Sequence, residues 1–197
     1  LKNKNLNLGF DPKLHTETSI SRLFGGNFIK LRPVNENLIN LLWKRERDSK
    51  ISPFYLIRDQ DAGSKPQKKL DELIKKIKLN KVDYLFVTAS ENVAWLLNIR
   101  GQDTSYSPLP NSHAVIDKSG KILLFCSIKK IDKSFKTKIN KRVKVYNFNL
   151  LPNYFLNLTN KKVLIDSSSC SIFYRSIIKK NNLILEKQDP IHYLKSL

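Results

Sequence analysis

Hydrolytic chemistry needs a nucleophile beside a base, a pair of carboxylates or a metal cage. The residue types that could supply these are scattered along this chain. Its three histidines, His15, His113 and His192, are far apart, and no HExxH or comparable metal-ligand spacing joins them. The run DSSSCS at 166–171 offers hydroxyls and a thiol. It has no adjacent base and no glycine-rich nucleophile elbow, which points to a cluster of helix-capping residues instead. Gly25 and Gly26 are followed by Asn27 and Phe28, so they do not form a phosphate-cradling loop. Cys126 and Cys170 lie in apolar or small-residue segments without CxxC partners. They read as small buried hydrophobes of a reducing compartment rather than zinc ligands or a redox pair. On its residues alone the chain carries no complete active site.

One stretch stands apart from ordinary scaffold: ENVAWLLNIRGQD, residues 91–103. An apolar helix-like run (Val93, Ala94, Trp95, Leu96, Leu97), with Ser90 as its N-cap, stops at Asn98. Arg100, Gly101 and Asp103 follow at once. The helix is expected to end at the glycine, and a proline-pinned loop holding Arg100, Asp103 and Tyr106 then leads to a strand that begins at His113. Loops held in this way against a sheet are where binding residues concentrate. Two readings stand side by side. Arg100 and Asp103 form an ion pair that locks the loop, or Arg100 is aimed at a carboxylate of a ligand or of a neighbouring domain.

The elements that must hold this loop are legible from periodicity. Residues 16–26, 27–33 and 35–48 read as helix, strand and helix. In the first, Ile20, Leu23 and Phe24 share a face before a Gly–Gly stop; in the third, Asn35 is the N-cap and Leu38, Leu41 and Leu42 lie on one side. Nothing before them completes a sheet. The turn-rich 52–67 reads as a boundary. The best helix follows, with Ser64 and Gln67 at capping-box spacing, Pro66 in its first turn, and Leu70, Leu73, Ile74 and Ile77 on one face. Strands are expected at 82–88, 113–117, 121–127, 141–147, 161–167 and 182–188, with a helix at 170–180. The KSG link between the second and third of these strands predicts an antiparallel hairpin. Helices alternating with strands, with one hairpin inside, predict an α/β fold with a mixed sheet.

With 197 residues, 41% of them apolar, the chain can build a real core. Its 36 Lys and Arg against 17 Asp and Glu give a formal charge of +19, which suggests a polyanion or a membrane surface as partner. Lysine rather than arginine supplies most of that charge, and the densest basic run, residues 128–145, holds one aromatic, Phe135, and one arginine, Arg142. Nucleic-acid readers favour arginine interleaved with stacking aromatics, so the run reads as a solvated face and nucleic acid is disfavoured. No apolar stretch reaches membrane-helix length and there is no signal-peptide core, which predicts a soluble, cytoplasmic protein. The chain contains no methionine, even at position 1, which predicts a processed or excised piece of something longer.

ENVAWLLNIRGQD and SPLPNSHAVI (107–116) resemble the second domain of the three-domain aminopeptidase P proteins, or Xaa-Pro aminopeptidases, of the creatinase and prolidase superfamily. LGFDPKLHT (8–16) resembles the end of that family's first domain, LRPVNENLINLLW (31–43) the passage into its linker, and DPIHYLKSL (189–197) the junction before its catalytic domain. The resemblance implies a creatinase-type N-terminal fold, a mixed parallel and antiparallel sheet with helices on both faces. It divides the chain into residues 1–57, the C-terminal part of a first domain, and 58–197, the second domain. The family removes the N-terminal residue preceding proline by means of two divalent metals, usually manganese, held by two Asp, one His and two Glu of a C-terminal pita-bread domain. None of those ligands has a counterpart before Leu197, so this chain alone is expected to be inactive, with no cofactor of its own. Its expected partners are its own catalytic domain, a second copy in a homodimer and a proline-containing peptide, and it is expected to shape access to the active site and to contribute to dimer or interdomain contacts. Arg100, Asp103, Tyr106 and His113 are the residues assigned to the cleft or to an interdomain contact. The alternative is a stand-alone basic module that binds nucleic acid or an acidic partner.

Overall fold

Alternation of buried side chains along the strands builds two apolar layers, one on each face of a single sheet. The computed structural model describes residues 6–25, 29–43 and 52–196. In chain order these form β1 (Leu6–Phe10), α1 (Glu17–Phe24), β2 (Ile29–Pro33), α2 (Leu38–Leu42), β3 (Tyr55–Leu56), α3 (Pro66–Leu79), β4 (Tyr84–Val87), α4 (Ser90–Leu97) and β5 (Ile99–Arg100). They continue with β6 (Ser112–Asp117), β7 (Ile122–Cys126), α5 (Lys133–Lys138), β8 (Val143–Asn147), α6 (Leu151–Asn157), β9 (Lys162–Ile165), α7 (Ile172–Asn181), β10 (Leu183–Glu186) and α8 (Pro190–Lys195).

The main sheet has six strands in the order β10-β9-β4-β6-β7-β8. The pairs β10/β9, β9/β4 and β7/β8 are parallel, whereas β4/β6 and the β6/β7 hairpin are antiparallel. The hairpin closes through Gly120 at φ +88°, a backbone that only glycine adopts freely. Because side chains alternate across a strand, Leu85, Val87, Ala114, Ile116, Leu124, Cys126 and Leu164 point to one layer. There they meet Leu70, Leu73 and Ile77 of α3, Val93 and Leu96 of α4, Phe135 of α5 and Ile191 of α8. Phe86, Val115, Phe125, Val163 and Ile165 point the other way, to Leu151 and Phe155 of α6 and Ile177 and Ile178 of α7. The fold is therefore an α/β mixed sheet with helices on both faces. Each fully buried Phe, Leu or Ile contributes about 1.5–3 kcal/mol. Cys126 and Cys170 are both buried within these layers, and burial pushes each thiol up to about 12.

Several local expectations need correction. The N-terminal segment contains a further strand, because β1 pairs in parallel with β2. In α1, Ile20 is buried but Leu23 is exposed. Gly25 caps this helix, and Gly26 lies outside the described residues. Asn37, not Asn35, caps α2 by accepting from Ile39 N–H, and the rest of the helix expected to reach 48 lies outside the described residues. At α3 the N-cap is Lys65 with no side-chain bond, so Ser64 and Gln67 form no capping box; Gln67 Nε2 donates to Asp71 instead. Ser90 is the first residue of α4 rather than its cap, which is Ala89.

Candidate functional site

The loop from Asn98 to Asn111 begins where α4 is stopped by Asn98, not by glycine. Asn98 adopts a left-handed conformation (φ 53°, ψ 34°), and its N–H donates to Ala94 O. Among side chains that are not glycine, Asn enters this region at low cost because its short amide finds local partners. Its Oδ1 accepts from Lys69 Nζ at 2.6 Å and its Nδ2 donates to Ser64 O at 3.0 Å. Lys69 also donates to Trp95 O at 2.9 Å and lies 4.5 Å from the centre of the Trp95 ring. This ammonium serves the Trp95 carbonyl in the last turn of α4, the end that favours a cation. Burial lowers its pKa to about 8, the nearby Arg100 cation adds to the shift and Asp59 opposes it.

Past Asn98 the backbone enters the two-residue strand β5, which pairs antiparallel with β3. Arg100 Nη1 donates to the carbonyls of Ile99 at 2.9 Å and Ala94 at 3.3 Å. Asp103 does not pair with Arg100. Its carboxylate forms an ion pair with Lys130, and Oδ2 accepts from Asn111 N–H at 2.6 Å. The locking ion pair thus exists, but its cation comes from beyond β7. Among the described residues Arg100 lies within ion-pair distance of no carboxylate.

The loop is held by more than Asp103. Gly101 N–H donates to Pro108 O and Asp103 N–H to Leu109 O. A Cβ at Gly101 would lie 2.9 Å from Pro110 Cα and 3.0 Å from the Phe54 ring, so a larger residue would break the packing. The tip is a β-turn, Ser107 N–H to Thr104 O, with Tyr106 at its third position. Tyr106 has φ +61° and is fully exposed, at 109% of its reference area.

His113 is not part of this cluster. On β6 it points with Val115 to the opposite face of the sheet, where its ring sits edge-on to Phe86 (5.8 Å), Phe148 (5.2 Å) and Tyr174 (5.6 Å). Its Nδ1 lies 3.1 Å from Ser112 O. Burial among these rings pushes its pKa down to about 4, so the imidazole is neutral at pH 7. The serine cluster at 166–171 acts as a cap: Ser171 accepts from Tyr174 N–H and starts α7, while Asp166 accepts from Ser168 Oγ at 2.6 Å and from Asp189 N–H at 2.9 Å. Among the described residues no three His, Cys, Asp or Glu side chains gather into a set able to hold a metal ion, so these residues do not fit a metal centre.

A second polar group, which no motif announces, lies at the carboxyl ends of β4 and β9. Asp189 is buried beside Asn92, which donates to it at 2.8 Å, and Lys195 donates to Asn92 Oδ1 at 3.0 Å. Burial raises the Asp189 pKa, opposed by the Ile191 N–H and by Asn92. The network is fully partnered and fixes α8 against α4.

A family model described as the Creatinase/Prolidase N-terminal domain matches residues 45–197. The chain belongs to the creatinase/prolidase N-terminal domain family. Among curated relatives, Xaa-Pro aminopeptidase 1 of Dictyostelium discoideum is 28% identical over 177 residues, which cover 86% of this chain and 28% of that protein. A probable Xaa-Pro aminopeptidase P of Neurospora crassa is 32% identical over 146 residues, covering 71% of this chain and 20% of that protein. Among solved structures, the X-prolyl aminopeptidase of Caenorhabditis elegans, a cytosolic enzyme with a di-nuclear active site, superposes with a TM-score of 0.75 at 24% identity. That match covers 92% of this chain and 31% of the other. At this identity the likeness shows the fold. This member of the creatinase/prolidase N-terminal domain family spans less than a third of the length of these three relatives.

Proposed function

We propose that this chain is the non-catalytic N-terminal region of a metal-dependent Xaa-Pro aminopeptidase, the end of a first domain (1–57) joined to a creatinase-type second domain (58–197). The observation that carries this reading is that the relatives named above are Xaa-Pro aminopeptidases that extend far beyond the shared region. In this reading hydrolysis of the bond before proline belongs to a module outside this chain, with two divalent ions, manganese in the form expected, and the enzyme works in the cytosol as a dimer. The region itself walls the cleft and limits the peptides that reach it. Arg100, Asp103 and Tyr106 belong to the surface turned towards the cleft or the neighbouring module, and His113 supports the strand behind them. The Arg100 guanidinium uses one nitrogen on backbone carbonyls, and the rest of its planar fork suits a carboxylate.

The test compares this chain with the longer gene product. The chain alone is expected to turn over no Xaa-Pro peptide with manganese added, whereas the longer product cleaves it and loses about tenfold or more in kcat/KM on Arg100→Ala, the effect of one charge-assisted contact. Stoichiometric manganese binding with hydrolysis by the isolated chain would sink the reading.

A further inference from the structure

Two features of the surface have no partner among the described residues, one on the loop and one on the helix that flanks it. The first is Tyr106. The third position of a β-turn with φ above zero is the place for glycine or asparagine, yet a bulky aromatic occupies it at φ +61° with its side chain wholly in solvent. A non-glycine residue in this region carries strain, and such strain persists only where the surroundings over-determine it. Here they do, because Gly101, Asp103 and Asn111 bind the loop's two arms together and Lys130 ties Asp103 down. A rigid stem therefore presents one amphipathic ring, the residue type that dominates interface energetics.

The second feature is the lysine face that flanks the base of the loop. Phe135 of α5 packs edge-on against Phe54 at 6.3 Å, and Phe54 underlies Gly101, so α5 flanks the loop. Its Lys133, Lys136 and Lys138 are exposed, as is Lys129 just before it. The acidic residue among them, Asp132, is exposed and caps α5 by accepting from Phe135 N–H. An anchoring ring with a basic rim fits a protein surface that offers an apolar pocket surrounded by carboxylates. A second copy of this chain does not fit, because each copy carries a formal +19. Nucleic acid fits poorly, since stacking grooves interleave several aromatics with the cations, and the run from Lys129 to Lys138 exposes none, its Phe135 being buried.

We propose that the 101–111 loop is a docking finger whose Tyr106 inserts into an acidic, apolar-floored pocket on the part of the longer protein that this chain lacks, with Lys129, Lys133 and Lys136 as its charged rim. The proposal rests on the reading above only for where the partner surface resides, in the two thirds or more of each relative that lies outside the match.

Tyr106→Asn tests it, because asparagine tolerates the left-handed backbone. In the isolated chain the melting temperature is expected not to fall. In the longer gene product it is expected to fall by several degrees, and hydrogen exchange at residues 104–107, slowed at least tenfold there relative to the isolated chain, is expected to speed up. Lys133→Glu with Lys136→Glu is expected to act in the same direction, and added salt to weaken its effect. Equal exchange at 104–107 in both proteins, or a loss of stability in the isolated chain on Tyr106→Asn, would overturn the proposal. So would tight binding of a single-stranded DNA oligonucleotide to this chain at physiological salt, abolished by the same lysine changes. Exchange is read without reference to catalysis. A longer product that protects the tip but cleaves no Xaa-Pro peptide keeps the finger and rejects the peptidase reading, and an active product with a free tip does the reverse.

Discussion

At Asn98 the backbone turns left-handed while the amide bonds both Lys69 and Ser64, so backbone and side-chain contributions are separable there. Asn98→Gly keeps the turn and strands the Lys69 ammonium without one acceptor, at a cost of roughly 2 kcal/mol. Asn98→Ala adds about 1–2 kcal/mol for the left-handed backbone. Urea denaturation of the two variants is expected to rank alanine below glycine, and equal midpoints would show that the turn carries no strain. His113 gives a pH signature. Its folded pKa of about 4 lies below the ordinary 6.5 because burial disfavours the imidazolium. Between these values the unfolded chain binds the proton and the folded chain does not, so stability rises with pH from about 4 to 6.5. The contribution is fully present above 6.5 and is lost on acidification, by about 3 kcal/mol at most. His113→Phe is expected to flatten that part of the stability profile, and an unchanged slope would place the titration elsewhere.

At the scale of elements, α7 starts on groups supplied by a distant part of the chain. Ile172 and Phe173 N–H donate to His15 O and Pro12 O, each at 2.9 Å, and Tyr174 N–H to Ser171 Oγ. Arg175 bridges Glu17 at 3.3 Å and Glu186 at 2.7 Å. The amides at a helix start need such acceptors, so removal of residues 1–25 is expected to speed exchange at Ile172 and Phe173. Ser171→Ala costs about 1 kcal/mol. No change at those two amides would mean that the N-terminal segment does not hold the helix in solution. This contact also shows what periodicity conveys and what it does not. Strands β4 and β6 to β10 and the apolar face of α3 were legible because each repeats its pattern over several residues. The strand β1 was not, since LNLGF is short, carries a glycine and gains its meaning only from β2, to which Leu6 is paired through Ile29. The caps at Ser64 and Ser90 were misplaced by a single position, the scale on which local signals compete. The loop was legible as a special place from its Arg, Gly, Asp and Pro content. The real partner of Asp103, Lys130, was hidden because an ion pair across 27 positions leaves no trace in spacing.

For the molecule as a whole, two surface terms oppose each other. A formal charge of +19 repels one copy from another. Against it, Leu38, Ile39, Leu41, Leu42 and Trp43 on and just after α2 stand between 62% and 87% exposed, an apolar patch without cover among the described residues. Such patches mark interfaces or association hazards, and β1 and β2 beside it form a two-stranded parallel sheet, too small to be stable by its own pairing. Salt separates the two terms. Raising ionic strength from about 0.01 M to 1 M shortens the screening length from roughly 30 to 3 Å and removes the repulsion while leaving the apolar attraction in place. Self-association of the isolated chain, followed by sedimentation velocity, is therefore expected to increase with salt. The triple change Leu38→Ser, Leu41→Ser and Leu42→Ser is expected to abolish that increase without lowering the melting temperature, because exposed side chains contribute little to the fold. Association that weakened with salt would instead assign it to the lysines and an anionic contaminant, and a large loss of stability in the triple variant would mean that α2 is covered in solution by part of this same chain.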